Sequence, residues 1–206
     1  TEIEVGAAAL DRTVAMSCGH WGLSGLEFLV GVPGTIGGAV KMNAGCYGME
    51  TKDRLLWADV VDLSGKLQRL TPADLEMTYR HTNIQSDQIV VRARFKCEPG
   101  NSDEIMQRLN TLLTEREISQ PVRGRTGGST FRNPVGHSAW KLIDTAGCRG
   151  LMVGQAQVSE KHCNFLLNTD ACTASELEEL GETVRQRVKS ASGHDLQWEI
   201  IRLGEL

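Results

Sequence analysis

Aromatic residues are scarce in this sequence, at 5%, and so is basic charge: 22 Lys and Arg stand against 26 Asp and Glu, a formal net charge of −4. With neither a cationic footprint nor a set of stacking rings, a nucleic-acid partner is not expected. No run of about 18 apolar residues occurs, so no membrane-spanning helix is expected. A basic start followed by an apolar core, the mark of a secretory leader, is missing too, and a cytoplasmic setting is expected. The six cysteines (Cys18, Cys46, Cys97, Cys148, Cys163 and Cys172) show no CxxC spacing. That argues against a zinc or disulfide framework and for reduced thiols. His20, His81, His137, His162 and His194 show no HxxxH spacing, so no metal site is expected. The sequence has no initial methionine and opens on "TEIEVGAAAL", which reads as a strand already under way. A piece of a longer protein is expected.

At 206 residues the chain is long enough for one large domain or two modest ones. "IEVGA" alternates as a strand, and "AALDRTVAMSCGHWGL" has helical spacing that ends near Gly19. "WADVVDL", a Ser64–Gly65 turn and "KLQRL" predict a β-hairpin. "TPADL" reads as a short helical start with Pro72 at an early position. "QIVVRARFKC" sets Val90, Arg92 and Arg94 against Val91, Ala93 and Phe95, the pattern of a half-buried strand. Ser102 to Ile118 is helical. The long polar loop "SQPVRGRTGGSTFRNPVGHS" follows, and it places a domain boundary near Ser119. Beyond it, "SAWKLIDTAG" predicts an amphipathic helix closed by Gly147, and "NFLLN" a short strand. Thr173 and Glu176 form a capping box ahead of a helix carrying Leu177, Leu180, Val184 and Val188 on one face. "DLQWEIIRL" reads as a closing strand. Helices and strands mix without a regular βα period, so the expected class is α+β in two domains, residues 1–118 and 119–206.

Four stretches could hold chemistry. "GVPGTIGGAVKMNAGCYG", Gly31 to Gly48, carries six glycines and a proline but no Gly-Lys-Ser/Thr and no GxGxxG. Its backbone either forms an anion nest from Gly34 to Gly38, with Asn43 adding an amide, or turns tightly against the protein itself. "YRHT", Tyr79 to Thr82, can grip a carboxylate or phosphate through Arg80. "GGSTFRNP" exposes Ser129 between glycines and polar residues, yet no nucleophile elbow surrounds it. Glu199 alternates with Trp198 and Ile200, and nothing local assigns it a task.

In this order, "GLEFLVGVPGTIGGAVKMNAGCYG", "YRHT", "GGSTFRNP", "AWKLIDTAGCRGL", "VSEKHCNFLLN" and "LQWEII" resemble the UDP-N-acetylenolpyruvoylglucosamine reductase (MurB) family over essentially the whole chain. The short "GGSTFRNP" and "HCNFLLN" forms are similar to its type II branch, which lacks a substrate-clamping tyrosine loop. The resemblance implies part of a vanillyl-alcohol-oxidase (PCMH-type) FAD-binding domain followed by a smaller α+β substrate-binding domain. It implies FAD and NADPH as cofactors, and as substrate the enolpyruvyl ether of UDP-N-acetylglucosamine, reduced to UDP-N-acetylmuramate for the cell wall. No obligate protein partner is implied.

The resemblance also assigns residues. Gly31, Pro33, Gly34, Thr35, Gly37, Gly38, Asn43 and Gly45 are expected at FAD. Tyr79, Arg80, Asn133, His162 and Asn164 are expected at substrate, and Arg80, Ser129 and Glu199 in the chemistry. Hydride from the flavin goes to the enolpyruvyl β-carbon, Arg80 stabilises the charge that develops, Glu199 polarises the carboxylate, and Ser129 passes a proton to the α-carbon. Nothing ahead of "TEIEVGAAAL" supplies the family's first flavin-binding loop. The 206-residue chain alone is therefore expected to hold FAD weakly or not at all. A flavin-less UDP-sugar-binding fragment is the alternative reading, and an FAD-dependent oxidase a third.

Overall fold

The computed structural model describes residues 1–204, which form two compact units, residues 1–115 and residues 116 onward. Its order of elements begins with β1 (Glu2–Gly6), α1 (Asp11–His20), β2 (Leu23–Ser24), α2 (Ile36–Lys41), β3 (Gly45–Cys46) and β4 (Met49–Glu50). It continues with β5 (Leu55–Asp62), β6 (Leu67–Leu70), β7 (Gln88–Lys96), β8 (Glu98–Pro99) and α3 (Ser102–Ser119). The second unit adds α4 (Ala139–Thr145), β9 (Met152–Val153), β10 (Ala156–Val158), β11 (Leu166–Asn168) and α5 (Ala174–Ser192). Among the described residues no helix is long and apolar enough to cross a membrane.

The first unit is an antiparallel sheet of order β1-β7-β5-β6. One face buries Ala58, Val60, Val90, Ala93 and Phe95 against α1, α2 and the Phe28–Val30 turn. The other carries Asp59, held by Arg69 (2.8 Å) and Arg92 (2.7 Å), with the Arg69 guanidinium 3.5 Å from the Trp57 ring centroid. Those two guanidinium groups pull the Asp59 pKa down to about 2, against the desolvation that would raise it.

Strand β7 departs from simple alternation. Val60 pairs with Val90 and Asp59 with Arg92, so Val91 is the extra residue of a bulge, and Val91 is exposed while Val90 is buried. The expected "TPADL" helical start is a turn closed by Leu75 N–H to Thr71 C=O (3.0 Å), with Asp74 capping Thr71 (2.6 Å). Pro72 starts it, but one turn without a following apolar stripe has nothing to propagate it.

The second unit packs α4 and α5 on the three-stranded sheet β11-β10-β9. Helix α5 starts on the Thr173–Glu176 capping box and ends at Gly193, whose φ of +75° is the left-handed C-terminal position. Leu180, Val184 and Val188 bury one stripe of it with Leu196. Gly181 sits under the Trp198 ring: a β-carbon there would stand 2.1 Å from the ring edge, and Trp198 Nε1 is tied to Glu182 at 2.8 Å. Gly181→Ala is expected to lower stability by about 1–2 kcal/mol despite alanine's higher helix propensity, as measured by urea unfolding. An unchanged midpoint would show that the ring yields without cost.

"DLQWEIIRL" does not form a strand. It meets the Ser129 segment through a Phe131–Trp198 bridge, flanked by Arg132 N–H to Gln197 C=O and Glu199 N–H to Thr130 C=O, both 2.8 Å. The pairing is too short to form a ladder, although it fixes both segments.

Candidate functional site

The candidate residues fall into two groups, one in each unit. In the first unit, β1 leads into a turn whose residues are bonded to the glycine loop: Gly37 N–H to Ala7 C=O (2.9 Å), Ile36 N–H to Ala9 C=O (3.0 Å) and Asp11 N–H to Gly34 C=O (3.1 Å). The glycines of that loop then divide by what surrounds them. A β-carbon on Gly31 would stand 2.6 Å from the Tyr47 ring, one on Gly37 3.0 Å from Ala7, and one on Gly45 2.5 Å from the Met49 carbonyl. These three are glycine because the protein itself fills the space. Gly34 and Gly38 are exposed, and nothing lies closer to their missing β-carbons than 3.3 Å and 3.9 Å respectively. Pro33 is exposed and Thr35 half-buried between them. Both readings of the loop therefore apply, to different glycines.

Asn43 is buried with φ of +44°. Its amide donates to Glu50 (3.0 Å) and the Thr78 carbonyl (2.8 Å), and its oxygen accepts from Lys52 N–H (3.0 Å). It shapes the loop from inside. Arg80 occupies the third position of a tight turn, where Thr78 and His81 exchange two backbone bonds of 3.1 Å. Its φ is +54°, a region glycine or asparagine normally fills at such a turn. The guanidinium donates to the Gly45 carbonyl (2.9 Å) and lies 4.9 Å from the Tyr79 ring centroid, so the turn and the end of the glycine loop hold each other. Tyr79 itself is exposed.

In the second unit the segments carrying Asn164 and Glu199 are both bonded to the short Ser129–Phe131 segment. Gly128, with φ of +91°, turns the chain into it. Thr130 N–H then bonds Asn164 C=O (2.8 Å), Ser129 bridges Phe165, and Glu199 N–H bonds Thr130 C=O. The Asn164 side chain is spent on this clamp: it accepts Phe131 N–H (3.0 Å) and donates to Phe131 C=O (2.8 Å). Asn164→Ala would leave two buried groups of Phe131 unpaired and is expected to cost about 2–4 kcal/mol in thermal or urea unfolding. A loss below about 0.5 kcal/mol would remove the clamp from this account.

Asn133 caps α4 by accepting Ala139 N–H (2.9 Å). The His162 ring lies edge-on to Phe165 at 4.9 Å, and its Nδ1 accepts Asn164 N–H (3.3 Å). Burial lowers its pKa, which keeps the ring neutral near pH 7. The hydroxyl of Thr130 and Nε of Arg132, both buried, have no partner among the described residues. A cleft of about 890 Å³ in this unit is lined by Arg125, Gly127, Glu178, Trp198, Ile200 and Arg202 among others, but neither Ser129 nor Glu199 lines it.

Asp11 was missed by sequence reasoning. An acid in the first turn of a helix is ordinary there, as it complements the macrodipole. Only its burial beneath Gly34 distinguishes it.

Two family models match the chain: an FAD binding domain over residues 1–71, and the C-terminal domain of UDP-N-acetylenolpyruvoylglucosamine reductase over residues 120–203. Among similar proteins, the UDP-N-acetylenolpyruvoylglucosamine reductase of Gluconobacter oxydans is 56% identical over 200 residues, 97% of this chain and 65% of its own length. That of Parvibaculum lavamentivorans is 55% identical over 204 residues, 99% of this chain and 66% of its own length. The chain thus spans just under two thirds of these curated relatives. The crystal structure of UDP-N-acetylenolpyruvylglucosamine reductase (MurB) from Thermus caldophilus superposes with a TM-score of 0.85 at 36% identity, covering 96% of this chain and 71% of that one. With that likeness across most of both chains, the chain belongs to the UDP-N-acetylenolpyruvoylglucosamine reductase family.

Proposed function

We propose that the chain provides flavin-facing and substrate-facing residues of a UDP-N-acetylmuramate dehydrogenase acting in the cytoplasm on a peptidoglycan precursor. Residues 1–118 are assigned to the FAD-binding domain and residues 119–206 to the substrate-binding domain. The observation that carries the reading is the backbone clamp that joins the Ser129–Phe131 segment to Trp198 and Glu199, stretches far apart in the sequence.

The exposed stretch of Pro33, Gly34 and Gly38, with Thr35 half-buried within it, fits the edge of a flavin nucleotide. Gly31, Gly37, Asn43 and Gly45 support that surface from within. FAD, reduced by NADPH, would supply a hydride to the β-carbon of the enolpyruvyl group. Negative charge then develops on the α-carbon and its carboxylate. A guanidinium in a fixed turn stabilises it where it forms, and Arg80 is assigned that part. Glu199 is assigned to the same carboxylate. The Ser129 hydroxyl delivers a proton to the α-carbon. Tyr79, Asn133 and His162 are assigned to substrate, and Asn164 to holding the Ser129 segment.

NADPH consumption by the FAD-supplemented protein is the test. It is expected to depend on UDP-N-acetylglucosamine enolpyruvate and to yield UDP-N-acetylmuramate. Consumption at the same rate without that substrate, with oxygen as acceptor, would point instead to an oxidase.

A further inference from the structure

Asp11 opens helix α1 and is 0% exposed, yet neither carboxyl oxygen has a hydrogen-bond partner among the described residues. Burying a carboxylate without a partner is costly, and native structures rarely keep such a group without a use for it. Its position suggests the use. The Asp11 N–H is bonded to Gly34 C=O (3.1 Å), Leu10 bridges Thr35, and Oδ2 lies 3.3 Å from where a Gly34 β-carbon would be. The carboxyl thus lies directly beneath the glycine of the loop that is open to a ligand.

Among the described residues no charged side chain offsets it. Arg12 on α1 is exposed, and Lys41 on α2 donates to the carbonyls of Ile84 and Gln85. Glu27 is engaged by Ser24 and Arg108, and Glu4 on β1 by Arg92 and Arg94.

We propose that Asp11 is a positioning residue that couples a proton to occupancy of the glycine loop: its neutral carboxyl accommodates an anionic diphosphate against Gly34, and its ionised form opposes one. The proposal rests on the flavin reading of the loop, because the diphosphate of FAD is the anion in question. Like charges held close in a poorly solvated site repel strongly. The direction of the effect follows from burial alone, which raises the Asp11 pKa from 3.8 to about 7. The folded-state value lies above the unfolded one, so the contribution to stability is full below about pH 4 and is lost as the pH rises to about 7. Diphosphate binding adds to that preference, so it is expected to take up a proton near neutrality.

The test titrates FAD, and separately inorganic pyrophosphate, into the full chain and its Asp11→Asn variant from pH 5.5 to 8.5. The Asp11 carboxyl carbon is followed by NMR in the wild type. FAD is expected to bind the wild type at least tenfold more weakly at pH 8.5 than at pH 5.5, and the variant about equally at both. The Asp11 midpoint is expected near pH 7 and is expected to rise with either ligand. Parallel pH profiles for the two proteins, with FAD bound by both, would overturn the proposal and leave the flavin reading standing. FAD at millimolar excess that moves no resonance of the Gly31–Gly45 loop in either protein would overturn the flavin reading, whereas weak binding by both would not. Pyrophosphate that leaves the Asp11 midpoint unmoved would overturn the proposal whatever FAD does. An Asp11 midpoint at an ordinary carboxylate pH would overturn it without any ligand.

Discussion

Ser129→Ala is expected to lower turnover of UDP-N-acetylglucosamine enolpyruvate by about 10²–10⁴-fold, the range set by loss of a positioned proton donor. Reduction of bound FAD by NADPH is expected to proceed as in the wild type, because the hydroxyl enters only after hydride has left the flavin. The structure makes the variant a clean one. The contacts that hold the Ser129 segment run through the main chain or through Asn164: the bridge to Phe165, Thr130 N–H to Asn164 C=O, and Glu199 N–H to Thr130 C=O. Removing one half-buried hydroxyl leaves all of these in place, so unfolding should shift by no more than about 0.5 kcal/mol. A variant that forms UDP-N-acetylmuramate at the wild-type rate would take Ser129 out of the mechanism. One that loses stability in step with activity would make Ser129 a structural residue.

Arg80→Gly is likewise expected to lose function while keeping stability. Holding a non-glycine residue in the left-handed region costs about 1–3 kcal/mol, and such strain persists where the side chain has a task. Glycine accepts φ of +54° without that cost, which offsets loss of the hydrogen bond to the Gly45 carbonyl. Stability should therefore stay within about 1 kcal/mol of the wild type. Substrate-dependent reoxidation of the reduced flavin should fall by about 10²–10³-fold, the usual consequence of removing one fixed donor to developing charge. Arg80→Lys should recover little of it, because a point charge on a flexible stem does not reproduce the planar fork. Activity retained in the glycine variant would show that the strained turn serves packing alone.

Much of the fold could be read from the sequence where a pattern repeats. Helices α1, α3 and α5 declare themselves through apolar spacing, and the Thr173–Glu176 box and Gly147 mark helix ends chemically. The hairpin of β5 and β6 is explicit in its Ser64–Gly65 turn. What could not be read turns on single events. One bulge at Val91 puts Val90, in place of Val91, on the buried face with Ala93 and Phe95, and alternation alone cannot locate an inserted residue. Strands β9 and β10 are two and three residues long, too short to show a period. "DLQWEIIRL" alternates convincingly, yet it has only a brief partner.

The candidate site was legible in a different way. Ser129, Arg80 and Glu199 are unremarkable in their local sequence and were singled out by the order of motifs across the chain. What that order could not divide was the glycine run. Gly31, Gly37 and Gly45 are crowded by Tyr47, Ala7 and Met49, contacts that the run of glycines does not declare, whereas Gly34 and Gly38 are exposed and less crowded. Asp11 left no sequence signal, since its meaning comes from the absence of partners around it.

These residues are assigned to reduction of an enolpyruvyl ether by a flavin. The most direct measurement reduces the FAD-loaded protein with NADPH without oxygen, then mixes it with UDP-N-acetylglucosamine enolpyruvate while following flavin absorbance. Reoxidation of the flavin is expected, with one UDP-N-acetylmuramate formed per flavin. Flavin that stays reduced in the presence of the substrate, with no product formed, would contradict it.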